Sequence, residues 1–574
     1  MINYKKTFIS LMSVSLLFMS GFANAVQYIK APPLDKVIKV SIGDTKGGIF
    51  TQVPLITWGG DEATILANGN SIKTLANSIF GKKGFKLELV REDDFKKQIE
   101  AYLRGDTPYL RGTYGMINMA SQILSRDPRT KPIVAYQLTW SNGGDCLVVK
   151  PGIKTVKDLK GKTIVLQAYG PHVYYLSKVL ADAGLSVKDV NIKWVRDLTG
   201  TDNTPTEAFY ESDVNAAMMI IPDGLVLTSN GTVGTGAEGS LKGARILLST
   251  KTANRIISDV YVVRSDYLKT HVNEVKEFVH GLMMAEEELH DIYKNKQSRL
   301  GEFTKMIKAS ADILLDSPEA VADAEALYAD CEYVGFKGNI KFFGDPNYPR
   351  NMEKLTAQIQ DAFIKIGLLT KKVAMTHAMF DYNTINTGLR DTSEIEVPKF
   401  DTSQVAAVVQ RKQQQGTLQE GELFSFEVYF QPNQNQFTAD MYAKAFNDVI
   451  ELATTYGGAI ITVEGHSDPL GYLKAKKRGS SEIVLRNIKQ SAKNLSLSRS
   501  NAVRGSVVNY ANSKGVILDE TQFAVVGYGI MKPKNGFCGA DPCPPQTEQE
   551  WRNNMRVEFR IIQVEAESSV FKPL

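Results

Sequence analysis

Strand-like and helix-like segments alternate along the first half of the chain. Val37–Ile42, Phe85–Val90 and Lys162–Gln167 have the apolar composition of buried strands. Asp94–Leu103 and Val173–Ala183 instead place apolar residues at helical spacing. Because strands that alternate with helices usually form a parallel sheet covered by those helices, the pattern predicts a mostly parallel α/β structure.

Two further strand-like runs, each beginning with an aspartate, indicate a division into two lobes. Asp145–Lys150 and Asp259–Arg264 are interpreted as the paired strands at which the chain crosses between the lobes. From His271 to about Leu368 the pattern becomes mainly helical, and Val272–Tyr293 carries an apolar stripe.

The amino-acid composition of the chain changes after residue 383. Residues 384–420 contain few large apolar side chains and include the polar run Gln410–Gly416, which is typical of a solvated linker. Beyond this boundary the pattern predicts a two-layer domain of strands and helices. Its predicted strands are Leu423–Phe430, Ala459–Glu464, Gln522–Gly527 and Met555–Val564, and its predicted helices are Ala439–Thr455 and Leu497–Lys514.

The first 25 residues have the pattern of a secretory signal peptide. Lys5 and Lys6 precede the apolar run Phe8–Phe18, and Ala23-Asn24-Ala25 matches a signal-peptidase site. The alternative is a membrane anchor, but the run is too short to span a hydrocarbon core of ~30 Å. We therefore expect export to the periplasm and cleavage after Ala25.

Composition narrows the classes of function. The 574 residues carry a net charge of +4 from 67 basic and 63 acidic side chains, with no concentrated basic run, which disfavours nucleic-acid binding. No nucleophile-elbow, metalloprotease or P-loop motif is present. The sequence therefore predicts a protein that is not an enzyme and has no cofactor and no metal.

Cysteine usage fits an oxidising compartment. Cys538 and Cys543 flank a turn-rich stretch and are predicted to form a disulfide, the alternative being two free thiols. Whether Cys146 pairs with Cys331 is left open, because sequence gives no distance between them.

Four motifs of the C-terminal region occur in the order found in a known family. Ile461–Asp468, Leu495–Arg499, Val526–Gly529 and Asn554–Glu558 together resemble the OmpA-like peptidoglycan-binding domains. The resemblance implies a ligand in the bacterial cell wall, the diaminopimelate-containing peptide, and association with the wall and the outer membrane.

The resemblance also implies a binding site. Asp468 would pair with the ammonium of diaminopimelate, while Arg499 would offer a planar fork to its carboxylate. Ser496 is expected to cap the following helix and leave N–H groups near the ligand. His466 and Arg556 complete the predicted peptidoglycan-binding set.

The chain departs from the family pattern at three places. Lys474–Gln490 is an insertion relative to the usual spacing, Ala492 replaces a frequent asparagine, and Met555 replaces the first arginine of the final motif. A metal role for His466 is disfavoured, because no second histidine lies nearby in the sequence.

The N-terminal region shows a looser likeness. Ile153–Thr163 and Phe209–Ala217 resemble elements of the periplasmic substrate-binding components of ABC importers, in particular the sulfonate and nitrate branch. The resemblance implies two lobes that close over a small polar or anionic solute, with an ABC permease as partner. Loops where strand ends and helix N-termini converge supply the solute-binding candidates. They are Trp58, Asp61, Thr113, Tyr114, Trp140, Gln167, Tyr169 and His172.

Together these features predict a signal peptide (1–25), a two-lobed α/β region of the periplasmic-binding-protein fold with a helical C-terminal part (26–383), a linker (384–420) and a two-layer α+β OmpA-like domain (421–574). The predicted function is a periplasmic solute-binding protein tethered non-covalently to peptidoglycan. The alternative is a cell-envelope scaffold whose two-lobed region docks a protein partner.

Overall fold

A computed structural model describes residues 26–231, 233–390, 400–415, 422–430, 437 and 439–562. The predicted signal peptide and its cleavage site lie outside these residues at their N-terminal side. Within the described ranges, no helix is both long and apolar enough to cross a membrane.

The first 124 described residues build most of one lobe and enter the second. The predicted strand Val37–Ile42 is wrong: Val37 ends a short helix, and the buried Ile38 packs in the core without strand pairing. The first strand is formed instead by Thr51–Leu55. In order, the elements are α1 Leu34–Val37, β1 Thr51–Leu55, α2 Asp61–Ala67, α3 Ile79–Lys82, β2 Leu87–Arg91, α4 Phe95–Arg104, β3 Tyr109–Thr113, α5 Tyr114–Leu124, β4 Pro132–Ser141 and β5 Asp145–Val149.

The chain then completes the second lobe and returns to the first. The elements are a 3₁₀ turn Val156–Leu159, β6 Thr163–Gln167, α6 His172–Asp182, a 3₁₀ turn Val187–Asp189, β7 Asn191–Val195, α7 Pro205–Phe209, β8 Ala216–Ile220, α8 Ile221–Leu227, β9 Arg245–Ser249 and β10 Ser258–Arg264. A largely helical stretch follows: α9 Ser265–Thr270, α10 Val272–Lys294, α11 Leu300–Leu315, α12 Val321–Ala329, β11 Cys331–Tyr333, α13 Gly335–Gly344, α14 Met352–Ile366, β12 Thr376–His377 and α15 Tyr382–Ile385.

Each lobe has its own sheet. The first contains strands in the order β11-β4-β10-β3, with β12 beside β4 and a separate parallel pair β1-β2; the second has the order β7-β6-β8-β5-β9. The expectation of mostly parallel sheets is corrected to mixed sheets, since β10 runs antiparallel to β3 and β4, and β5 antiparallel to β8 and β9. The lobes are joined by two links, residues 142–144 and 250–257, and the predicted crossing strands β5 and β10 adjoin them.

The C-terminal domain is a four-stranded sheet with two long helices on one face. Its strand order is β13-β18-β14-β15; β18 runs antiparallel to both of its neighbours, and β14 pairs with β15 in parallel. Its elements, with the helix that precedes it, are α16 Thr402–Gln415, β13 Glu422–Tyr429, α17 Ala439–Thr455, β14 Ile460–His466, α18 Leu470–Lys477, α19 Glu482–Ser513, a 3₁₀ turn Glu520–Gln522, β15 Phe523–Gly529, β16 Phe537–Cys538, β17 Asp541–Pro542, α20 Glu548–Asn553 and β18 Arg556–Ile562.

Part of the predicted linker is folded. Residues 402–415 form the helix α16, whose Val405, Val408 and Val409 are buried against Val526 and Tyr528 of β15. The prediction of a wholly solvated linker is therefore wrong, because these three valines at helical spacing find an apolar end of the sheet to cover.

The C-terminal domain packs directly on the second lobe. The Tyr456 hydroxyl donates to Asp182 Oδ2 at 2.7 Å, and Lys178 Nζ lies 3.1 Å from Glu451 Oε1. Gly458 approaches so closely that a Cβ placed there would lie 1.9 Å from the carbonyl oxygen of Lys251. Domain and lobe thus share a continuous core.

The four cysteines form one disulfide. Cys538 and Cys543 are joined as a disulfide across the β16–β17 hairpin. No disulfide joins Cys146 to Cys331. The oxidation state of the hairpin pair in the exported protein stays a prediction.

Candidate functional site

Asp468 lies in the loop that follows β14, and Arg499 lies on α19, which passes beside that loop. Arg499 is only 7% exposed, and among the described residues no hydrogen bond or ion pair engages its guanidinium. Burial lowers the pKa of Arg499, and the charge of nearby Asp468 raises it. Asp468 is half-buried, and its Oδ1 accepts the N–H of Leu470 at 2.7 Å. A nearly buried cation therefore stands close to a carboxylate without contacting it.

Ser496 acts differently from the prediction. It lies in the middle of α19, which begins after the N-cap Ser481, so the expected cap at Ser496 is wrong. The insertion Lys474–Gln490 contributes to this, because it contains the end of α18 and the first turns of α19, which therefore begins well before Ser496. Ser496 Oγ instead accepts the N–H of Gly529 at 2.9 Å and ties the helix to β15.

Gly465 makes the close approach of α19 to the sheet possible. A Cβ at Gly465 would lie 2.2 Å from the carbonyl oxygen of Ser496. Gly465 therefore faces α19, and strand alternation turns the neighbouring His466 to the opposite face of the sheet. Arg556 of β18 alternates with Glu558, which is paired with Glu464, and therefore lies on that same far face. The five predicted peptidoglycan-binding residues thus divide between the two faces of the sheet, with Arg499 and Ser496 on the helix side.

The eight solute-binding candidates lie mostly at helix starts near the junction of the lobes. Six of them are buried, and Trp58 and Gln167 are half-buried. Thr113 caps α5 by accepting the N–H of Met116 at 3.1 Å, and the Tyr169 hydroxyl donates to the carbonyl of Pro32 at 2.7 Å. These two side chains are engaged in structural contacts.

A buried charge cluster occupies the first lobe beside these candidates. Arg111 lies 3.1 Å from Asp61 and 2.9 Å from Asp259, with its side chain fully buried. Burial raises the pKa of Asp61 to about 6, and the charge of Arg111 opposes that rise. Trp58 joins the cluster through Thr139, whose hydroxyl accepts the indole N–H at 3.0 Å.

At the lobe junction, His172 and Asp145 form a second polar group. His172 Nε2 lies 2.7 Å from Asp145 Oδ1, and the Ser141 hydroxyl donates to Asp145 Oδ2 at 2.7 Å. Burial, reinforced by the charge of Asp145, raises the pKa of the neighbouring Asp330 to about 7. Asp145 and Asp259 were not among the candidates, although each opens one of the strand runs that marked the lobe crossing.

The chain covers the candidate cleft with its own later segments. The carbonyl oxygen of Leu327 would lie 2.1 Å from a Cβ on Gly59, and the Tyr333 hydroxyl donates to the Gly59 carbonyl at 2.6 Å. Helix α14 contacts α5 and α6, one from each lobe, through Thr356 and Gln358. The starts of α2, α5 and α6 are therefore packed against residues 327–358.

Two α/β lobes, each with its own sheet and joined by two links, define the N-terminal part as a periplasmic-binding-protein fold. The model of the NMT1/THI5-like family matches residues 77–291, less than half of the chain. No curated protein matches the chain.

Several solved structures resemble this part. The periplasmic aliphatic sulphonate binding protein SsuA from Escherichia coli has 17% identity and a TM-score of 0.40, covering 61% of this chain and 97% of its own. The alkanesulfonate-binding protein SsuA from Xanthomonas axonopodis pv. citri, bound to MOPS, has 16% identity and a TM-score of 0.38, covering 57% and 97%. Identities this low carry no information about the ligand of this chain.

Proposed function

We propose that this chain is a periplasmic protein of the solute-binding type that is anchored to peptidoglycan through Asp468 and Arg499. The single observation that carries the anchor is Arg499, which is 7% exposed beside the end of β14 and whose buried Nε has no hydrogen-bond partner among the described residues. A buried donor left without a partner is costly, so such a group is expected where a ligand supplies the acceptor.

The chemistry of the pair fits a ligand with two opposite charges on one carbon chain. Arg499 offers parallel N–H donors to a carboxylate, and Asp468 offers an oxygen to an ammonium. Among the described residues no ion pair joins Asp468 to Arg499, although the charge of Asp468 acts on the guanidinium, and Asp468 Oδ1 accepts the N–H of Leu470. Diaminopimelate, the residue implied by the OmpA-like resemblance, carries an ammonium and a carboxylate at the end of its side chain.

Calorimetric titration of the mature chain with a soluble peptide that contains meso-diaminopimelate tests this site. We expect binding by the native chain and none measurable for Asp468→Ala or Arg499→Ala. Arg486→Ala is the matched control, since Arg486 is exposed on the same helix. Equal affinity in the native chain and both site variants would refute the assignment.

For the two-lobed region we propose a small polar or anionic solute and an ABC permease as partners. Support comes from the NMT1/THI5-like match and from the helix starts that converge at the lobe junction. Access requires residues 327–358 to move away from Gly59 and α5, so solute binding is expected to change the scattering profile of the protein.

One observation favours the scaffold alternative. Six of the eight candidate residues are buried by other segments of the same chain. Such packing is expected of two lobes that keep one fixed arrangement and do not open to admit a solute. Thermal unfolding of the mature chain against a library of small anions and amino acids separates the two functions. A rise in Tm with one solute supports the binder by linkage, and no rise with any member supports the scaffold.

A further inference from the structure

The far face of the C-terminal sheet carries a cluster of charged side chains that the proposed wall site does not use. Glu464 of β14 is paired in register with Glu558 of β18, and Thr462 with Arg560. Since alternate residues of a strand share a face, Glu464, His466 and Glu558 project together on the side opposite α19.

Several polar atoms of this cluster are buried without a hydrogen-bond partner. In the part of the chain that the structure describes, Oε2 of the fully buried Glu464, both ring nitrogens of His466, which is 1% exposed, and Nη1 of Arg556 have no hydrogen-bond partner. The ligand atoms of Glu464, His466 and Glu558 all lie within 4.8 Å of one another. Burying such groups unpaired is costly, so the arrangement calls for a bound species.

Charged side chains surround the cluster. Arg560 binds Oε1 of Glu464 at 3.0 Å and Oε1 of Glu558 at 2.5 Å, which leaves the second oxygen of each carboxylate for another partner. Glu427 is paired with both Arg556 and Lys534, Arg556 lies 3.9 Å from Oε2 of Glu558, and the charge of Lys532 acts on Glu464. The carboxylates are therefore balanced by nearby cations, and the ligand atoms rather than the net charge decide which species fits.

We propose that Glu464, His466 and Glu558 bind a divalent first-row transition metal of the Zn²⁺ type. One imidazole nitrogen and two carboxylate oxygens suit Zn²⁺, whereas Mg²⁺ and Ca²⁺ prefer oxygen ligands alone. Ligands ~2.1 Å from a tetrahedral ion lie ~3.4 Å apart, so His466 Nε2 and Glu558 Oε2, now 3.8 Å apart, need only a small contraction.

A further side chain would hold the ligands in position. Arg560 holds both carboxylates by their other oxygens, as outer groups commonly orient metal ligands. The ion would join β14 to β18 immediately before the loop that carries Asp468.

The test uses the mature full-length chain, loaded with ZnCl₂, dialysed, and analysed for metal by mass spectrometry. We expect about one Zn²⁺ per chain, and at least about fivefold less in His466→Ala. His290→Ala is the control, since His290 is exposed on α10, and it should retain the native amount. If His466→Ala fails to fold, the metal content of Glu464→Gln, which keeps the side-chain volume, is measured in its place.

Zn²⁺ should also raise the Tm of the native chain but not that of Glu464→Gln, because the ion binds only the folded site. A native chain that retains no metal after loading, or an unchanged metal content in the folded His466 or Glu464 variants, overturns the proposal. Neither result affects the wall site, which is measured separately by peptide binding to Asp468 and Arg499.

Discussion

Arg111 and Arg499 are both buried arginines, but their surroundings differ. Arg111 is enclosed between Asp61 and Asp259 at 3.1 and 2.9 Å, so its charge is compensated within the fold. Arg499 has no such partner among the described residues. A compensated buried charge indicates a structural role, whereas an uncompensated one indicates a place reserved for a ligand.

This contrast predicts the effect of a conservative change at Arg499. Arg499→Lys keeps the positive charge but loses the planar pair of donors, so affinity for a diaminopimelate peptide should fall at least about tenfold. Titration calorimetry measures the change, with Arg486→Lys on the exposed side of α19 as the control. Native affinity in Arg499→Lys would mean that only charge, and not the fork, is recognised.

Glu62 gives a pH-dependent prediction in the first lobe. Burial raises its pKa to about 8, although the Tyr293 hydroxyl, which donates to Oε2 at 3.0 Å, opposes the rise. The folded state therefore binds a proton that the unfolded state releases near pH 4.3, and the free energy of unfolding falls as pH rises from about 4.5 to 8. In Glu62→Gln this fall should be smaller by more than about 1 kcal/mol.

Urea unfolding of both proteins at pH 5 and pH 8 measures the difference. The native chain should lose stability across this interval more steeply than Glu62→Gln. Identical losses in the two proteins would show that Glu62 keeps one protonation state throughout.

At the scale of elements, α19 organises the C-terminal domain, and its contact with β14 depends on Gly465. Gly465→Ala would place a Cβ 2.2 Å from the Ser496 carbonyl, and such overpacking should destabilise the domain by about 1–3 kcal/mol. Gly505→Ala, on the same helix with no atom within 4 Å of the added Cβ, should be neutral or stabilising by up to about 1 kcal/mol. Chemical unfolding followed by circular dichroism compares them, and equal stabilities would contradict the close helix–sheet contact.

The same elements show what the sequence could predict. Strand β14 was expected from Ala459 to Glu464 and is found at Ile460–His466, because its apolar run and the following glycine mark it locally. The predicted start of α19 at Leu497 is too late: Leu485, Ile488 and Ala492 lie at helical spacing and pack beside Tyr472, but the family motif at Leu495–Arg499 predicts the later start. Helix α16 was missed because its three valines are outweighed by glutamine and charged residues.

The candidate cleft was harder to predict, because it depends on contacts between segments that are far apart in the sequence. Trp58 and Asp61 are candidates because their loop follows an apolar run and combines an aromatic side chain, a carboxylate and accessible backbone; in the structure they follow β1, and Asp61 opens α2. Gly59, which lies between them, is covered by Leu327 and Tyr333, more than 250 residues away in the chain. Contacts between such distant segments are set by tertiary packing and leave no signal in a short stretch of sequence.

At the scale of the whole molecule, the C-terminal domain and the second lobe are packed as one body. Gly458→Ala would force a Cβ to within 1.9 Å of the Lys251 carbonyl and should separate the two, increasing the radius of gyration without loss of secondary structure. Small-angle scattering measures this. Gly471→Ala, which has open space around it, is the control and should scatter like the native chain. Unchanged scattering in Gly458→Ala would contradict the docked arrangement.

The central claim is that the mature chain is held on the cell wall through its C-terminal domain. Co-sedimentation with purified, protein-free sacculi tests it most directly. We predict that most of the mature protein pellets with the sacculi, that excess soluble diaminopimelate peptide releases it, and that Arg499→Ala stays in the supernatant. Recovery of the native chain in the supernatant, at the level of an unrelated soluble protein of similar size, would contradict the account.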